Sequence, residues 1–127
     1  TAMVLPEIIS KEPLGPVVSQ GDDQWFNIVK WVLNAQINAE ELGITSKNVD
    51  KMKSSKNPSV GRVLGTVGDA GAKLGLSADW AYNIVKQVGN YGQSFEAHVG
   101  PNTTLQLPRG VNNLWNNGGL IYPMPAR

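Results

Sequence analysis

Between residues 22 and 42 the apolar side chains Trp25, Ile28, Val29, Val32, Ala35, Ala39 and Leu42 recur three and four positions apart, one face of a helix. Phe26, Leu33 and Ile37 widen that face. Asp22 stands where a side-chain oxygen can meet the free N–H groups of the first turn, Asp23 suits the positive helix end, and Gly43 supplies the stop. Such a helix is about 30 Å long, and a face this wide has to be covered by a sheet or by other helices.

A second stripe, Trp80, Ile84, Val88, Tyr91 and Phe95, follows the capping signal Ser77-Ala78-Asp79 and predicts another long helix to about residue 99. Gly89 and Gly92 fall inside it, each costing about 1 kcal/mol against alanine, so the pattern calls for a kink or a close backbone approach. Between the stripes, Thr45 opens a short polar helix and Pro58 admits another through Val60, Val63 and Leu64. This middle region reads as surface structure. The tail from Pro101 predicts one more helix around 109–115 and an extended, proline-marked end that is ordered only if it docks.

The opening, Val4-Leu5-Pro6-Glu7-Ile8-Ile9-Ser10-Lys11-Glu12-Pro13-Leu14-Gly15-Pro16-Val17-Val18, reads as a strand, a stiffened crossing and a second short strand. Pro6, Pro13 and Pro16 deny it part of a hydrogen-bond ladder, which suits an edge or a hinge. The expected fold class is therefore predominantly α with a short N-terminal β portion: strands in 1–20, helices in 21–127. An unpaired edge and an apolar helix face also predict a homo-oligomer, through edge pairing or an exchanged N-terminal segment.

Composition narrows the function more than it names it. The 127 residues make one domain's worth of chain. Eleven Lys and Arg against ten Asp and Glu leave no field to attract nucleic acid or an anionic surface. The lack of cysteine removes disulfides, thiolate metal sites and thiol nucleophiles, and fits an intracellular or a periplasmic location. No apolar run approaches the ~18 residues of a membrane span.

Candidate chemistry is sparse. Gly65, Gly68, Gly71 and Gly75 have neither dinucleotide nor P-loop spacing and read as a flexible surface loop. His98, the one histidine, lacks a partner at ligand spacing and reads as a helix-end residue. Glu40-Glu41 and Asp22-Asp23 point apart on a helix, so capping and solvation are expected of them. Trp25 and Trp80, at the heads of apolar stripes, are expected in the core; Trp31 and Trp115 divide between core and ligand platform. With no nucleophile–base pair in view, no enzyme, cofactor or metal is expected.

The opening segment followed by Gly21-Asp22-Asp23-Gln24-Trp25 resembles the C-terminal part of general L-amino-acid-binding periplasmic proteins of ABC transporters, of the type 2 periplasmic-binding-protein family. Further matching blocks are Asn38-Ala39-Glu40-Glu41-Leu42-Gly43, Asp79-Trp80-Ala81-Tyr82, Lys86-Gln87-Val88-Gly89-Asn90-Tyr91-Gly92, Arg109-Gly110-Val111-Asn112-Asn113-Leu114-Trp115 and Gly118-Gly119-Leu120-Ile121-Tyr122. The resemblance implies a segment of an α/β lobe in a two-lobed periplasmic receptor that closes on a free L-amino acid and delivers it to an ABC permease in the inner membrane. By that likeness Ser10, Lys11, Glu12, Pro13, Leu14 and Gly15 form the hinge, and the helices clothe the first lobe. The family's ligand-gripping arginine and aspartate have no matching positions here, so the main ligand contacts are expected outside the chain. The alternative is a free-standing helical domain binding a protein or glycan through Trp31, Trp115 and the asparagine-rich tail.

Overall fold

The computed structural model describes Met3, Leu5, Glu7, Ile9, Ser10 and residues 12–126. Six helices follow in order: α1 (Asp23–Glu41), α2 (Val49–Met52), α3 (Pro58–Leu64), α4 (Ala70–Lys73), α5 (Trp80–Val88) and α6 (Tyr91–His98). Two 3₁₀ turns, Gly110–Asn112 and Trp115–Asn117, complete the set. The fold is mostly helical. Among the described residues the one β feature is a single parallel bridge between Leu114 and Ile121.

Helix α1 begins as its sequence dictates. Asp22 accepts from the backbone N–H of Trp25 at 2.9 Å, and Gly43, at φ +67°, lets the chain turn so that the Ile44 N–H reaches the Ala39 carbonyl. The buried face of α1 is its C-terminal half, Ala35, Ile37, Asn38 and Ala39, while Trp25 and Phe26 at its head remain half exposed. The stripe is therefore covered only in part. Trp25 is not a core anchor here, and Trp80 is half-buried.

The core forms where surface structure was expected. Ile44, Val49, Val60, Val63 and Leu64 join Ala39 and Val85 in one cluster, with Leu42, Met52 and Tyr82 packed against it. The short helices α2 and α3 each carry too few apolar residues for a periodic signal. They bury what they have because α1 and α5 form a trough into which Val49 and Val60 fit, at 0% and 2% exposure.

The second long helix is broken in two. At Gly89 the backbone takes φ +85°, which L side chains rarely adopt, and Asn90 restarts the chain by accepting from the Gln93 N–H while the Gln93 side chain accepts from the Asn90 N–H. The break also pins the α1–α2 loop: Asn90 Nδ2 donates to the Ile44 carbonyl at 2.8 Å, and Gln93 exchanges bonds with Ser46. In the tail, the helix expected around 109–115 is replaced by the two 3₁₀ turns. Glycine at 110 and asparagines at 112, 113, 116 and 117 are weak helix formers, and Gly110 and Gly118 have positive φ.

The expected N-terminal strands are not formed among the described residues. Met3, Leu5, Glu7, Ile9, Ser10 and residues 12–17 are exposed, with Ile9, Leu14 and Val17 more than nine-tenths so. A strand requires a neighbour for its N–H and C=O groups, and among the described residues none pairs with this segment.

Candidate functional site

Of the expected hinge residues, Lys11 lies outside the described residues. Ser10, Glu12, Pro13, Leu14 and Gly15 are exposed and without regular structure. One tight turn marks the segment, with the Leu14 N–H donating to the Glu12 carbonyl at 2.8 Å across Pro13. The structure brings none of these residues to a cleft.

Two clefts flank the C-terminal half of α1. The first, about 350 Å³, lies between α1, the α3–α4 turn and the head of α5, with Trp31 and Trp80 among its walls. Its polar lining residues are Asn38, Arg62, Asp69 and Lys73, and Asp69 is engaged by Lys73 at 2.9 Å, which lowers the Asp69 carboxyl below its ordinary range. The second, about 310 Å³, lies between the end of α1, Ser59 and Val63 of α3, and the tail residues Trp115, Tyr122 and Pro123. There the Trp115 indole N–H donates to Glu41 at 3.3 Å, and the Trp115 and Tyr122 rings meet edge to face with centroids 5.9 Å apart.

Glu40 does more than face water. Arg109 donates to both its carboxylate oxygens, at 2.8 and 3.2 Å, and the two side chains retain only 14% and 15% exposure. The guanidinium also lies 5.5 and 5.2 Å from the Tyr91 and Phe95 rings. Gly92 makes room: a Cβ there would lie 2.7 Å from Glu40 Oε1 and 2.8 Å from Arg109 Nη1. This answers the second glycine of the broken helix. Sequence reading missed the pair because 69 residues separate its members, a distance to which spacing rules are blind.

On the opposite side, Asp50 of α2 accepts from Lys86 and, at 2.7 Å, from the Tyr82 hydroxyl. The Lys86 ammonium, then the Tyr82 hydroxyl, holds the Asp50 carboxyl below its usual range; the same bonds raise Tyr82 and Lys86 above theirs. Lys53 stands 4.1 Å from the Tyr82 ring centre. The cluster is exposed and ties α2 to α5 rather than facing a cavity. His98 is exposed at the end of α6, with Nδ1 2.7 Å from the Ser94 carbonyl, as expected of a helix-end histidine.

The glycines at 65 and 71 are packing residues, not free loop. A Cβ at Gly65 would stand 1.7 Å from the Ala78 carbonyl oxygen and one at Gly71 2.3 Å from that of Ser77, so only glycine lets these two backbones pass. No group of three or more His, Cys, Asp or Glu positioned for a metal occurs among the described residues, and no described helix is long and apolar enough to cross a membrane.

No family model matches the chain. Individual proteins do. The general L-amino acid-binding periplasmic protein AapJ of Rhizobium johnstonii is 58% identical across 98% of the chain, which spans 37% of that relative. The putative amino-acid ABC transporter-binding protein YhdW of Escherichia coli K12 is 57% identical, and the glutamate/glutamine/aspartate/asparagine-binding protein BztA of Rhodobacter capsulatus 49%, with the same shares covered. The chain resembles part of an amino-acid-binding protein of an ABC transporter. The fold agrees: an ABC transporter periplasmic binding protein from Brucella ovis, solved with glutathione bound, superposes with a TM-score of 0.91 at 51% identity, over 97% of this chain and 39% of its own.

The chain thus spans somewhat over a third of the length of the curated relatives it matches. These relatives are named as binding proteins, and those named periplasmic agree with the resemblance carried by the sequence blocks.

Proposed function

We propose that this chain supplies the hinge return and the outer helical wall of one lobe in a periplasmic receptor that captures free L-amino acids for an ABC importer. The observation that carries the reading is the identity of 49–58% along 98% of the chain with proteins named for amino-acid binding. Residues 1–20 are the crossing between lobes and residues 21–127 the helical wall. The exposed segment around Ser10, Glu12, Pro13, Leu14 and Gly15, with its tight turn across Pro13, absorbs the rotation at few positions.

Its strands form by pairing within the receptor, which completes an α/β lobe. That accounts for the exposed Leu5, Ile9, Leu14 and Val17 without self-association, for which neither the relatives nor the structural neighbour gives support. The ligand closes the lobes by its greater affinity for the closed form, and its main contacts lie outside these 127 residues. The closed receptor then docks on a permease in the inner membrane. No chemical step is assigned to the chain.

The test is calorimetric. The matching part of AapJ is replaced by these 127 residues, and the hybrid receptor and the 127-residue chain are each titrated with L-amino acids and with glutathione, the ligand of the Brucella neighbour. Saturable heat with an L-amino acid from the hybrid, and none from the chain alone, is expected. A folded hybrid that gives no heat with any amino acid overturns the reading, and saturable heat from the chain alone moves the ligand site into one of its own clefts.

A further inference from the structure

The cleft of about 350 Å³ beside α1 is walled mainly by apolar side chains. Trp31, Ala35, Val67, Leu74 and Trp80 present apolar walls to an opening of about 350 Å³, and Val67 is half exposed there. Apolar surface left wet forgoes the stabilisation that covering it would supply. A small polar solute is a poor occupant, since such walls reward apolar area and offer few directed bonds. The rim carries Arg62, whose guanidinium makes no ion pair among the described residues, next to a Lys73 already neutralised by Asp69.

The relatives extend well beyond the match, as the chain covers 37% of their length and 39% of the Brucella chain. We infer that the Trp31–Trp80 cleft is the seat on which an apolar segment of the rest of the receptor polypeptide packs, with a carboxylate of that segment meeting Arg62. The inference rests on the receptor reading above. It assigns the cleft a covering role inside the lobe, not a ligand. The occupant's chemistry follows from the walls: large aliphatic or aromatic side chains between the two indoles and one acidic residue at the edge.

Hydroxyl-radical footprinting read by mass spectrometry tests this in the 127-residue chain and in the AapJ hybrid. Trp31 and Trp80 should oxidise readily in the chain and at least about tenfold more slowly in the hybrid, as for side chains withdrawn from water. Val67→Glu should leave the unfolding temperature of the chain almost unchanged and depress that of the hybrid. Equal oxidation in both proteins, or a Val67→Glu hybrid as stable as its parent, overturns the inference. So does protection that appears in the chain alone as its concentration rises, which would make a second copy the occupant. Amino-acid titration of the hybrid separates the two claims. Heat with unprotected tryptophans defeats the seat and spares the receptor reading, and protected tryptophans without heat do the reverse.

Discussion

Arg109 grips Glu40 with two prongs, and the pair fastens the C-terminal tail to the last turn of α1. Arg109 Nε and Nη2 also donate to the Asn112 carbonyl, so the guanidinium serves the tail's own turn as well as the helix. Breaking such a pair leaves a poorly hydrated charge behind. Glu40→Gln and Arg109→Leu are each expected to cost about 3 kcal/mol of unfolding free energy, and the double variant less than their sum. Urea denaturation of the four proteins measures the coupling, and strictly additive losses would show that the pair contributes nothing of its own.

Trp25 and Leu64 reverse the order that side-chain size suggests. Trp25 is 51% exposed and Leu64 1%. Trp25→Ala should cost about 1 kcal/mol, and Leu64→Ala about 3 kcal/mol through the cavity it leaves. A larger loss at Trp25 in the 127-residue chain would mean that the head of α1 is covered after all.

The Asp50–Lys86 pair sets a pH signature. Asp50 ordinarily titrates near 3.8 and is held lower by Lys86 and Tyr82, so its contribution is present above that value and fades as pH falls through the folded one. Lys86 is raised from 10.5, so its share is complete below that value and fades as pH rises past the folded one. Asp50→Asn should therefore lower the thermal midpoint by a small amount through the neutral range, because the pair is exposed, with the gap closing in acid below Asp50's ordinary value of 3.8 and at about 1 M salt. A gap that persists in acid would assign the effect to packing instead of charge.

Helix α1 was legible because its cap, period and stop are local signals: Asp22, the stripe from Trp25 and Gly43 all act within a few residues. What lay beyond sequence reading is non-local. The stripe tells which face is apolar but not how far it is covered, so Trp25 was assigned to a core that begins only near Ala35. Val49 and Val60, in helices of four and seven residues, gave no periodic signal and yet are fully enclosed. Glu40, Gly92 and Arg109 stand in three separate blocks of the family resemblance, and only the fold shows them touching.

Gly65 and Gly92 differ in what an added methyl would meet. At Gly65 the obstacle is the Ala78 backbone carbonyl at 1.7 Å, and φ is +74°. Strain and overlap together should make Gly65→Ala cost about 3 kcal/mol or more. At Gly92 the obstacles are the ends of two side chains and φ is ordinary, so the helix preference for alanine, about 1 kcal/mol, offsets part of the cost of prising the ion pair apart. Gly92→Ala should be the milder variant, and it should become nearly neutral or favourable in the Glu40→Gln background. Equal penalties in both backgrounds would show that the pair is not what the methyl disturbs.

Asn38 closes the end of the tail. Its amide, in a residue only 8% exposed, donates to the Asn34 carbonyl at 2.8 Å and to the Met124 carbonyl at 2.7 Å, while the Met124 N–H donates to Asn34 Oδ1 at 2.7 Å. Asn38→Ala strands the Met124 carbonyl against α1, at a cost of about 1 to 3 kcal/mol where a buried group loses its partner. The loss should be local first. In hydrogen exchange the amides of Met124, Ile121 and Trp115, which are bonded to Asn34, Asn113 and Ile121, should lose protection, while that of Gly89 at the end of α5 keeps its rate. Uniform acceleration across the chain would instead make Asn38 a support of the whole core, and unchanged rates in the tail would mean that Asn34 and the Pro123 packing hold it without the clasp.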